Sequence, residues 1–258
     1  MKEEIYTIPV MDGFQSDCEC PFCAMYRKLE SDSIGFVLSP SYMEEDVRGL
    51  TNEKGFCKLH MKQLYDRGNS LGLALMLHSH LKHRTAELDQ TLEQLSTGKS
   101  SKGWFSKKAP EGSDPVRTLQ QKWQNSCYIC DRIEDSFSRF LSTFFHMWKK
   151  QPDFRQTVQA ARGYCLDHFL MLYASAADYL KGDELDEFRS QLKKQEQDNL
   201  VRVADELEWF TLKFDYRYQN EPWKNSKGAL PRTILKVNGQ FVPAREYSAF
   251  LCLRFPFA

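Results

Sequence analysis

The chain has 258 residues, enough for one large domain or two smaller ones with a self-sufficient core. Its 35 basic and 35 acidic side chains cancel, which argues against general nucleic-acid binding, because that needs a basic surplus. The mean hydropathy of -0.56 and the lack of any apolar run of about eighteen residues exclude a membrane-spanning helix.

The N-terminal stretch Met1-Lys2-Glu3-Glu4-Ile5-Tyr6-Thr7-Ile8-Pro9 lacks the apolar core of a signal peptide, so a cytoplasmic location is expected. In that setting the eight cysteines read as metal ligands or redox thiols rather than as disulfides. Ile5 to Val10 reads as extended. Helices follow. Pro21, directly after Cys20, suits a first helical position, and Phe22, Met25, Tyr26 and Leu29 then recur at helical spacing. Ser39-Pro40 opens a second, short helix ending near Gly49. Residues 57–67 form a third and residues 70–95 a long fourth. Residues 96–114, rich in Gly, Ser and Lys, read as a flexible basic linker. Helices are then expected over 128–150, from Pro152, over 165–180 and over 184–218. In the last, Phe188, Leu192, Leu200, Val203 and Leu207 make an apolar seam for neighbouring helices. Residues 234–242 read either as an Asn238-Gly239 hairpin or as a helix capped by Gly239. Residues 243–258 are apolar without a period.

Six of the cysteines fall into a pattern that occurs twice. Cys20-Pro21-Phe22-Cys23 is followed after 33 residues by Cys57-Lys58-Leu59-His60. Cys127-Tyr128-Ile129-Cys130 is followed after 34 residues by Cys165-Leu166-Asp167-His168. The flanks match as well: Gly55-Phe56 and Gly163-Tyr164 precede the third cysteines, and Leu64-Tyr65 and Leu172-Tyr173 follow the histidines. This argues for an internal duplication. Thiolates and imidazoles in fours suit tetrahedral zinc. The expectation is two structural zinc ions, one held by Cys20, Cys23, Cys57 and His60, the other by Cys127, Cys130, Cys165 and His168. Both kinds of pair fall at helix starts, where free N–H groups and the positive dipole end stabilise thiolates. A closed shell of four protein ligands leaves no position for substrate.

Two other chemistries compete. Iron–sulfur ligation is open to the same ligands. Thiol–disulfide exchange is open to Cys18, Cys20 and Cys23, because Cys20-Pro21-Phe22-Cys23 looks like a glutaredoxin active site, although the strands of that fold are missing. His78, His80 and His83 form a histidine run with no acid or thiol to complete a metal shell. His146, among Phe144, Phe145, Met147 and Trp148, reads as packed or capping. Trp104-Phe105 in the linker could touch an anionic membrane or a partner. A polar, aromatic segment offers Asp215, Arg217, Trp223 and Arg232 as a possible ligand or partner site. No phosphate loop, nucleophile elbow or zinc-protease motif is present.

Several stretches together resemble a known family. Ile5-Tyr6-Thr7-Ile8-Pro9-Val10, Cys20-Pro21-Phe22-Cys23, Gly35-Phe36, Pro40-Ser41-Tyr42-Met43, Gly55-Phe56-Cys57, Leu71-Gly72-Leu73-Ala74-Leu75 and Phe214-Asp215-Tyr216-Arg217 look like the bacterial family of unknown function DUF6062, found in Firmicutes. The resemblance spans about residues 1–238. It implies a cytoplasmic bacterial protein and brings no established activity.

The sequence thus points to an all-α protein with small irregular or β additions at its ends. Residues 1–95 form one zinc-stapled repeat, 96–114 a linker, 115–219 a second repeat and 220–258 an extension. The expected function is non-enzymatic, a binding or adaptor module for an unidentified protein or small-molecule partner.

Overall fold

The computed structural model describes residues 2–96 and 114–241, and among them every regular element is helical. Residues 97–113 of the expected linker, with Trp104 and Phe105, lie outside the described residues, as do residues 242–258 with Cys252. In chain order the helices are α1 (Lys2–Gln15), α2 (Pro21–Leu38), α3 (Glu45–Lys54), α4 (Lys58–Asp66), α5 (Ser70–Ser96), α6 (Pro115–Gln124), α7 (Tyr128–Lys150), α8 (Pro152–Ala160), α9 (Leu166–Tyr179), α10 (Asp183–Leu212) and α11 (Ala229–Asn238). Short 3-10 turns lie at Pro40–Met43, Tyr216–Tyr218 and Ser226–Gly228. No helix is long and apolar enough to cross a membrane among the described residues.

The N-terminus corrects the extended expectation. Residues 5–10 lie inside α1, with Pro9 in the helix. Val10 and Phe14, one turn apart, are buried, and Phe14 meets Phe22, Phe144, Phe154 and Tyr164. Burial of that face outweighs the hydrogen bond that Pro9 removes and the β-branched composition of the stretch. Gly13 lets α1 approach α2 closely, since a Cβ there would stand 2.6 Å from the Met25 side chain.

The other ends obey local chemistry. Asp114 caps α6 by accepting from the Val116 N–H at 3.0 Å, and Pro115 fills the first position. That helix was not anticipated, although Asp114-Pro115 announces it. The expected helix over 184–218 stops at Leu212, because buried Lys213 turns its Nζ to the carbonyls of Tyr218, Gln219 and Glu221 at 2.5–2.8 Å. Gly239 takes φ +70° and closes α11, so the capped-helix alternative holds rather than the hairpin.

The chain divides into two compact units, Met1–Arg27 with Phe137–Ala258, and Lys28–Ser136. In the first, α7 presents Phe137, Phe140, Phe144 and Trp148 at three- and four-residue steps to an aromatic core shared with Phe14, Phe22, Phe154, Tyr164 and Phe188. In the second, Ile34, Val37, Leu64, Leu73, Met76, Ile129 and Ile133 form an aliphatic core. Its α5 and α6 are tied by Glu87, which accepts from Lys122 Nζ at 2.5 Å and Trp123 Nε1 at 3.0 Å. Burial works against that carboxylate, yet these donors and Arg84 hold its pKa down to about 2.

Candidate metal centres

Each cysteine pair sits where a helix begins. Cys20 and Cys127 immediately precede α2 and α7, and Cys57 and Cys165 are the capping residues of α4 and α9. The third residue onward, Cys23, Cys130, His60 or His168, faces the same way one turn later. Eight side chains are thereby gathered into two groups of four, and within each group all ligand atoms lie within 4.8 Å of one another.

The grouping differs from the expected one. Cys20 and Cys23 meet Cys165 and His168, while Cys57 and His60 meet Cys127 and Cys130. All eight expected residues take part, but each Cys-x2-Cys pair closes on the Cys-x2-His pair of the other half of the sequence pattern. The first group lies wholly within the first compact unit and the second within the second.

Both groups have the dimensions of a tetrahedral site. Metal–sulfur bonds of about 2.3 Å and metal–nitrogen bonds of about 2.0 Å imply ligand–ligand edges of about 3.5–3.8 Å. In the first group His168 Nδ1 stands 3.5, 3.3 and 3.1 Å from the sulfurs of Cys20, Cys23 and Cys165, and the last two sulfurs are 3.5 Å apart. In the second, His60 Nδ1 stands 3.3, 3.3 and 3.4 Å from Cys57, Cys127 and Cys130, and the sulfurs of Cys57 and Cys130 are 3.9 Å apart. Both groups could hold a metal ion.

Thiols packed this closely oppose one another's ionisation. Burial, reinforced by Cys165, pushes the Cys20 thiol up to about 12. Hydrogen bonds to Cys165 and Cys20 raise Cys23, while hydrogen bonds from Cys20 and Cys23 lower Cys165. A divalent cation reverses this balance and lets all three sulfurs carry charge. The helix starts assist: the Cys23 N–H donates to Cys20 Sγ at 3.4 Å.

Outer contacts orient the ligands. His60 Nε2 lies 3.3 Å from Glu30 Oε1, a carboxylate–histidine arrangement that leaves Nδ1 to the sulfurs. Burial opposes charge on His60, yet Cys127 and Glu30 hold its pKa up to about 10. The ring of His168 packs between Phe22 and Phe137, 5.8 and 5.5 Å between centroids.

A buried charged group behind the first centre was not read from the sequence. Lys236 is 1% exposed, and its Nζ donates to the carbonyls of Glu19, Arg162 and Tyr164 at 2.9, 2.5 and 3.1 Å. Glu19 immediately precedes Cys20 and Tyr164 immediately precedes Cys165, so one ammonium ties together both ligand-bearing turns. Glu19 also pairs with Arg202 at 2.5 Å, and Glu196 accepts from the Tyr164 N–H at 2.7 Å. Burial pushes Glu196 up and Lys236 down, and their mutual attraction opposes both shifts. The signal was a charge inside an apolar stripe: Glu196 follows Leu192 by one turn on the seam of α10, and Lys236 follows Leu235.

Gly163 fits beneath this group only because it has no side chain. It takes φ +74°, and a Cβ there would stand 2.6 Å from Glu196 Oε2 and 3.2 Å from Lys236 Nζ. Gly163→Ala should cost about 1–3 kcal/mol, read as a shift in the urea midpoint. An unchanged midpoint would remove the case for close packing there. Gly55 holds the matching place before Cys57, at φ +64° against His80.

Residues 1–244 match a family of unknown function, DUF6062. The chain belongs to the DUF6062 family. No curated protein and no solved structure matches it. The motif cysteines and histidines of this DUF6062 chain all fall inside the matched span, as does Cys18, which is partly exposed.

The remaining sequence candidates are placed elsewhere. His80 Nδ1 donates to the Asn52 carbonyl at 2.7 Å, His83 Nε2 lies 3.7 Å from Glu87 Oε1, and His78 is exposed. His146 is exposed. Asp215 accepts from the Arg217 N–H and pairs with its guanidinium at 2.7 Å. Trp223 packs on Phe210 and Phe214. Arg232 turns to Glu206 at 2.7 Å and to the carbonyl of Asn225.

Proposed function

We propose that this protein binds two zinc ions as structural clamps and acts as a non-enzymatic binding or adaptor module. The observation that carries this reading is the convergence of three sulfurs and one imidazole nitrogen within 4.8 Å at each centre. Such a set closes a tetrahedral shell and leaves no position for water or substrate. Three thiolates, a neutral imidazole and a dication carry one net negative charge, which suits helix starts and, at the first centre, the neighbouring Lys236. Thiolate and imidazole donors in this geometry favour zinc. The reciprocal use of the pairs also supports a duplicated origin: each centre takes one pair from each sequence repeat.

The test is the metal content of protein purified without chelator, with its ultraviolet–visible spectrum. Two equivalents of zinc and no visible absorbance are expected. Iron with sulfide, or metal-free protein with reduced thiols, would overturn the reading.

A further inference from the structure

The two centres differ in which ligands reach solvent. At the first, all three sulfurs are covered: Cys20, Cys23 and Cys165 are 0%, 4% and 1% exposed, and only His168 is partly open. At the second, Cys127 and His60 are buried while Cys57 and Cys130 are partly exposed. Those two cysteines belong to different helix starts, and their sulfurs lie 3.9 Å apart. A disulfide needs about 2.05 Å, an approach of about 2 Å. The second centre therefore presents two partly exposed cysteines to a small oxidant, whereas at the first only the histidine is partly exposed.

We propose that Cys57 and Cys130 are a peroxide-reactive pair whose oxidation to a disulfide releases the ion of the second centre and spares the first. The proposal rests on the zinc reading above. One thiolate attacks a peroxide oxygen: the S–O bond forms, the O–O bond breaks, and the departing hydroxide takes a proton to become water. The second thiolate attacks the resulting sulfenyl sulfur: the S–S bond forms, the S–O bond breaks, and a second hydroxide leaves as water after taking a proton. Two thiolates, one hydrogen peroxide and two protons thus give one disulfide and two waters. The ion loses two of its four ligands, and His60 and Cys127 alone do not hold it.

The experiment uses the full chain carrying Cys18→Ser and Cys252→Ser, so that the six motif cysteines are the only thiols. Bound zinc is measured first, and that figure alone decides the zinc reading. Hydrogen peroxide is then titrated in, released zinc is followed with a chromogenic chelator, and thiols are mapped by differential alkylation and mass spectrometry. The expected result is loss of one of two zinc equivalents, with Cys57 joined to Cys130 and with Cys20, Cys23 and Cys165 still reduced. Release of both ions together, or oxidation of Cys20, Cys23 or Cys165 before Cys57 and Cys130, overturns the proposal. If no zinc is found at the start, the zinc reading and the release of an ion both fall, and the order of thiol oxidation decides only whether Cys57 and Cys130 are the reactive pair.

Discussion

Cys20→Ser should remove one bound ion, and adding His168→Ala should remove no more, because both residues serve the same centre. Combining Cys20→Ser with His60→Ala should remove both ions. The per-repeat pairing read from sequence predicts the reverse, so metal stoichiometry across three variants distinguishes the two ligand sets. The effect on stability is the largest expected for this molecule. Structural zinc is worth about 10–16 kcal/mol of apparent binding energy in small domains, against total stabilities of about 5–15 kcal/mol. Loss of the first ion should therefore unfold the first compact unit, read as lost helical circular dichroism and lost amide protection over residues 1–27 and 137–241. One ion retained in Cys20→Ser/His60→Ala, with none in Cys20→Ser/His168→Ala, would refute the crosswise grouping.

Lys236→Met should cost about 3–5 kcal/mol, the usual penalty for removing one partner of a buried charged group. Methionine keeps much of the volume, so the loss is electrostatic. The carbonyls of Glu19, Arg162 and Tyr164 lose their common donor, and Glu19 and Glu196 lose a neighbouring positive charge. The same substitution should weaken the ion at the first centre by about 10–100-fold, the range for residues that orient metal ligands. The ion at the second centre should bind as before. A chelator competition that resolves the two ions measures both effects. A loss of stability with unchanged affinity at the first centre would show that Lys236 supports the fold without positioning Cys20 and Cys165.

The helix starts and the eight residues that gather in the two groups were legible because each rests on local chemistry: Pro21 after Cys20, a free N–H at each start, and motif residues one turn apart. The pairing was not, because intervals of 33 and 34 residues constrain neither choice. The N-terminal helix was hidden for another reason. Ile5, Thr7, Ile8, Pro9 and Val10 disfavour a helix locally, and only the buried places of Val10 and Phe14 reverse that preference. Lys236 was hidden because a lysine beside Val237 in the last turn of a helix ordinarily reads as solvated.

The ligand pairs are nested like brackets, and this orders the birth of the two sites. His60 and Cys127 are separated by 67 positions, Cys20 and His168 by 148. Loop entropy hardly distinguishes these spans, since doubling a loop costs only about 0.6 kcal/mol. Translation distinguishes them clearly. At about 5–20 residues per second, the inner site can close while Cys165 and His168 are still unmade. Cys20 and Cys23 leave the ribosome first and wait about 7–30 seconds for their partners. The earliest thiols of the two groups are thus the last to be enclosed, and for that interval the nascent protein carries them without Cys165 and His168.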